Sequence, residues 1–180
     1  MKYLTPFVLG VLAVSAAFAQ DATDKAVLAA PANMRAGATV IKWKPDYSYD
    51  VVKKGTNAFV CYDISGYPTH PAFMSECTTT MENLPRVAQN LKIEAMYPDA
   101  KARQAAFDAA EKDGTRVKPE YGSVWYHFSG ASPENARTHM TIAVPGATTK
   151  TTGLPETRAG GGVYIMNAGT STAHLMTPGE

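Results

Sequence analysis

The chain has 180 residues, 45 % of hydrophobic type and 18 % charged, with 17 Lys and Arg against 16 Asp and Glu. That is the composition of one ordinary globular domain, and it excludes a collagenous, low-complexity or disordered chain. A formal charge of +1 leaves no basic footprint for nucleic acid and no steering toward anionic lipid.

The N-terminus reads as a secretory signal peptide over residues 1–19. Lys2 precedes an apolar run from Phe7 to Phe18, broken only by Gly10 and Ser15, and Ala17-Phe18-Ala19 has the small-x-small form of a cleavage site. The run is shorter than the roughly 20 apolar residues that span a bilayer. Gln20 follows the cut, so there is no thiol there to acylate, and the expectation is a soluble periplasmic or secreted protein without membrane contact. In an oxidising compartment the two cysteines, Cys61 and Cys77, pair as a disulfide, which contributes roughly 3 kcal/mol in the chain-entropy model.

Residues 20–37 are small, Ala-rich and interrupted by Pro31, which suits a mobile leader or one short helix on the edge of the fold. The domain is expected over residues 38–180. Thr39 to Trp43 and Asn57 to Tyr62 are β-branched and aromatic and read as strands. Between the cysteines, Gly66, Pro68 and Pro71 indicate a stapled loop.

Two helices follow. Val87, Ala88, Leu91 and Ala95 recur at helical spacing behind Pro85, and Asp99 and Gly114 bracket a second helix over Ala100 to Lys112. The last third returns to strands at Ser123 to Phe128, Thr138 to Val144, Val163 to Met166 and Ala173 to Met176, the last two as a hairpin. Strands, then helices, then strands, without βαβ alternation, predict a single α+β domain: a mainly antiparallel sheet with two central helices packed on it.

The chain carries no G-x-S-x-G elbow and no H-E-x-x-H, and Gly146 to Lys150 lacks the G-K-[ST] ending of a P-loop. What remains is a face. Strand alternation puts Trp125 and His127 opposite Val124, Tyr126 and Phe128, and His139 opposite Met140 and Ile142. If the strands align, one face gathers His127, His139, His174, Trp125, Tyr164, Met166 and Met176, and a one-residue slip would turn His174 toward Ile165.

Three readings compete for that face. It can be a second core layer of a non-catalytic binding or structural module. It can be a copper-type metal site, with His139, His174, Met140 and Met176 as candidate ligands and Trp125, His127, Tyr164 and Met166 around them, because imidazole and thioether suit copper. It can be a hydrolase-like pocket with a His general base partnered by Tyr164, Asp63 or Glu156. His70, between Thr69 and Pro71, reads as solvated.

Gly55-Thr56-Asn57-Ala58-Phe59-Val60-Cys61, the later Cys77, Thr138-His139-Met140 ending in Val144-Pro145, and Gly161-Gly162-Val163-Tyr164-Ile165-Met166 followed by Gly169-Thr170 and Ala173-His174-Leu175-Met176 resemble an uncharacterised family of short exported bacterial proteins. The resemblance implies export and no particular activity, and the charged middle from Leu84 to Tyr121 departs from it. The tail is also similar to the ligand loop of blue-copper proteins, but it has no thiolate before His174, which such a centre needs.

Overall fold

A computed structural model describes residues 23–177. The signal peptide expected over residues 1–19 lies outside the described residues. Eight strands form one sheet in the order β2-β1-β3-β4-β5-β6-β8-β7. They are β1 (Thr39–Trp43), β2 (Tyr49–Lys53), β3 (Val60–Asp63), β4 (Phe73–Thr78), β5 (Val124–Gly130), β6 (Arg137–Ala143), β7 (Tyr164–Met166) and β8 (His174–Met176). Only β1 and β3 run parallel; every other pairing is antiparallel. With helices α1 (Leu84–Met96) and α2 (Ala100–Lys112) inserted between β4 and β5, this is the α+β architecture expected.

The parallel pairing requires the chain to turn back tightly after β2. Gly55 makes that possible, because a Cβ there would stand 2.3 Å from the Thr39 nitrogen and 2.4 Å from the Gly37 oxygen. No side chain fits so close to backbone, so the glycine sets how β3 enters the sheet beside β1.

The two faces of the sheet are covered differently. On one, Cys61 and Cys77 face each other in register across β3 and β4 and form the disulfide. Around them pack Val40, Phe59, Tyr126 and Phe128 together with Ala26, Val27, Ala29 and Ala30. The segment expected as a mobile leader or a short edge helix therefore gives Ala26, Val27, Ala29 and Ala30 to the core, while Ala32–Gly37 buries no residue. The Ser75 hydroxyl donates to the Ala26 carbonyl at 2.6 Å and accepts from the Ala29 N–H at 3.2 Å, and Arg35 donates to the carbonyls of Ala30 and Leu28, both at 2.8 Å. Alanine cannot form a conspicuous apolar stripe, yet its small side chain lets the backbone lie flat on the strands.

The other face carries α1. Pro85 occupies its first turn, where a missing N–H costs nothing, and Leu84, Val87 and Leu91 turn inward onto Ile41, Trp43, Val60, Tyr62 and Ile64. Asn83 does not cap the helix. It is buried, donates to the Thr78 hydroxyl at 2.7 Å and accepts from the Glu120 N–H at 3.0 Å, and so ties the start of α1 to β4. The second helix, α2, starts on an Asp99 cap that accepts from the Ala102 N–H at 2.9 Å, and it buries no residue of its own. It leans on α1 through Arg116, whose guanidinium lies 4.6 Å above the Phe107 ring of α2 and donates to Gln89 and Asn90 of α1.

Two strands go beyond the expected elements. The edge strand β2 is almost wholly exposed, so it has no hydrophobic alternation to announce it. The other, β4, falls inside the stretch read as a stapled loop, because only its first part, Gly66 to Pro71, turns; Phe73–Thr78 then runs straight between β3 and β5.

Candidate functional site

Register across the α1-covered face aligns polar residues in a row. Tyr62 on β3 pairs with Glu76 on β4, Glu76 with His127 on β5, and His127 with His139 on β6. Directly opposed residues on one face have Cβ atoms about 5 Å apart, so the row is a contiguous chain of side chains. The buried Tyr62 hydroxyl donates to Oε1 of Glu76, Nδ1 of His127 donates to Oε2 of the same carboxylate at 2.9 Å, and the rings of His127 and His139 lie 5.7 Å apart.

Glu76 is only 7 % exposed. Burial works to raise its pKa, but the His127 charge and hydrogen bond, the Tyr62 hydrogen bond and the His70 charge outweigh it and hold the carboxyl below its ordinary value. Burial first, and the Glu76 charge second, push Tyr62 well above the phenol range. Glu76 is thus a carboxylate gripped by a neutral phenol and an imidazole. With Nδ1 of His127 committed to it, Nε2 is the ring nitrogen left for other partners.

The other two histidines of the face are tuned toward neutrality. On β8, Nδ1 of His174 lies 2.8 Å from the Thr172 carbonyl. A carbonyl only accepts, so Nδ1 carries the hydrogen and the neutral ring presents its lone pair at Nε2. Burial lowers the His174 pKa most; the Thr172 bond opposes this, and the charges of Arg86 and His127 add to it. The His139 ring makes no hydrogen bond among the described residues. Burial, then the charges of His127 and His174, lower its pKa as well.

These residues surround a cavity of about 320 Å³ between α1 and the strands β4, β5, β6 and β8. His127, His139, His174 and Trp125 line it with Met166 and Met176, as the shared face predicts. The pairing of Met166 with His174 is the alignment in which His174 does not turn toward Ile165. Tyr164 lies on the same face, opposite Met176 on the edge strand, but does not line the cavity. Met140 is a correction: it pairs with Tyr126 on the opposite face, as alternation beside His139 demands, so it cannot join His139 around one point.

His70 is a second correction. It lines the cavity, its side chain 15 % exposed, with Nε2 2.8 Å from Oε2 of Glu94 on α1 and Nδ1 3.1 Å from the Met74 sulfur. The partners proposed for a His base are elsewhere. Asp63 pairs with Lys25 at 2.9 Å, and Glu156 accepts from the Thr149 N–H at 3.0 Å. The carboxylate that does orient a histidine is Glu76.

The helix supplies what the sequence pattern did not announce. From α1, Arg86 and Glu94 reach the cavity. The Arg86 Nη1 donates to the Val117 carbonyl at 3.1 Å, its only hydrogen bond, and no carboxylate pairs with it among the described residues. Burial, then the neighbouring Arg116 charge, push its pKa down to about 10 against the opposing charges of Glu76 and Glu111, so it remains a cation at neutral pH. Arg86 also borders a second cavity of about 260 Å³, formed with α2 and the turn between β7 and β8. That turn is held from α2, where Glu111 accepts from the N–H of Ser171 at 2.7 Å and from its hydroxyl.

Among the described residues, no three His, Cys, Asp or Glu side chains are grouped so as to hold a metal ion. No helix in that range is long and apolar enough to cross a membrane. No family model, curated protein or solved structure matches the chain.

Proposed function

We propose that this protein is an exported binding module whose ligand occupies the histidine cavity. The observation that carries the reading is the cavity itself, an apolar pocket with a few converging polar groups: the same helix that seals Ile41, Trp43 and Tyr62 on one half of the face leaves about 320 Å³ over His127, His139 and His174 on the other. Concave, mainly apolar pockets of this size with a few placed polar groups are the usual seats of small ligands. The signal-like start and the buried disulfide support a site of action in an oxidising compartment.

A fragment library screened by NMR against the intact protein tests this. Binding should shift resonances of Trp125, His127, His139 and His174 together. Fragments that shift only residues elsewhere would contradict the reading.

One observation favours a second reading. The Glu76 carboxylate holds His127 as a carboxylate holds the imidazole of a general base, fixing its tautomer and stabilising its protonated form. Under that reading His127→Gln removes turnover of a cavity-bound ester or amide while leaving its binding in place.

A further inference from the structure

Resting on the binding reading above, we propose that the cavity takes a small organic acid that also carries a hydroxyl or N–H donor, its carboxylate on Arg86 and its donor on a histidine Nε2. The polar inventory of the cavity defines that ligand. Arg86 offers a planar cation with one hydrogen bond made and no direct ion pair among the described residues, the nearby Glu76 and Glu111 charges acting on it without contact. A guanidinium with one hydrogen bond made has donors to spare, and a carboxylate is the group it pairs with best.

His174 has the opposite need. Nδ1 of His174 is spent as a donor on the Thr172 carbonyl, so its neutral ring offers an acceptor at Nε2, while Nδ1 of His127 is committed to Glu76. Both acidic side chains of the wall are engaged, Glu76 by Tyr62 and His127 and Glu94 by His70. A ligand that satisfies this wall brings one anionic group and at least one donor.

Between these poles the lining is apolar, with Trp125, Val87, Leu91, Met166 and Met176, which suits a hydrocarbon or aromatic body. The volume holds about ten water-sized groups. A bare metal cation fits this wall poorly, because it would lie close to the unpaired Arg86 charge.

Calorimetric titration of the protein at pH 7 with 4-hydroxybenzoate, benzoate, phenol and copper(I) tests the proposal. The account expects 4-hydroxybenzoate to bind tightest, with benzoate and phenol each weaker by tenfold or more. Arg86→Gln should remove the preference for the carboxylate, so that 4-hydroxybenzoate binds no better than phenol, and Arg86→Lys should restore part of it. His174→Phe should remove the preference for the hydroxyl. If phenol or copper(I) binds in a His174-dependent way while both acids do not, the acid is wrong and the cavity remains a binding site. If none of the four binds and Arg86→Gln lowers only the melting temperature, the cavity-filling role of Arg86 is structural, and both this inference and the binding reading fall.

Discussion

One sheet face under one helix shows two ways of using buried space. Over β1 and β3, α1 presses Leu84, Val87 and Leu91 onto Ile41, Trp43, Val60 and Tyr62, and the side chains interlock, with the Trp43 and Tyr62 rings edge to face at 5.6 Å. Over β5, β6 and β8 the same helix presents Arg86 and Glu94 instead, and the strands answer with histidines around open volume. The two halves therefore contribute differently to stability. The apolar half gains from every methylene it removes from water, whereas the polar half gains nothing from a histidine without a hydrogen-bond partner.

The sharpest way to break that contrast is to empty the packed half. Leu84 is 1 % exposed, and Leu84→Ala should cost about 2–5 kcal/mol in urea unfolding through lost burial and a cavity. A loss below about 1 kcal/mol would mean that α1 is not anchored by this contact.

Next in size is the join between the halves, Glu76, whose two oxygens tie Tyr62 in the packed half to His127 in the open one. Glu76→Gln should cost about 1–3 kcal/mol at pH 7, since one amide end cannot accept from both donors. Its pH dependence has a defined sign. The folded pKa lies below the ordinary 4.5, so the unfolded chain takes up protons first as pH falls. The stability Glu76 contributes is complete above 4.5 and is lost as pH falls through the folded value. His139 and His174, held below 6.5 in the fold, add a loss that begins at higher pH. The unfolded histidines protonate on crossing 6.5 while the folded ones resist, so stability declines from there downward until the folded values are passed. Chemical unfolding followed from pH 8 to about 2 should show both declines in the wild type and only the upper one in Glu76→Gln.

How far the site could be read from the sequence follows the same division. Alternation along β5, β6 and β8 placed His127, His139, His174, Trp125, Met166 and Met176 on one face, because a period of two needs only the local chain. It could not place Glu76, which sits on a strand hidden behind Gly66, Pro68 and Pro71. A signal was present nonetheless. If Cys61 and Cys77 are cross-strand partners, antiparallel register puts Tyr62 opposite Glu76, and the row toward the histidines follows. Arg86 and Glu94 escaped because charged helix residues ordinarily face water, and His70 because its pairing with Glu94 joins a loop to a helix turn 24 residues later. Ala26 to Ala30 were missed for a different reason: small side chains carry little hydropathy signal, and their burial is decided by the sheet they land on.

The central claim is that the histidine half of the face serves a ligand rather than the fold, and the stability of His139→Leu tests it most directly. His139 has no hydrogen bond to lose, and leucine of similar size would bury apolar surface beside Trp125 and Met176. The account predicts a urea midpoint at pH 7 equal to or above that of the wild type. A loss of about 1–3 kcal/mol, the size expected for a histidine that holds a packed core together, would contradict it.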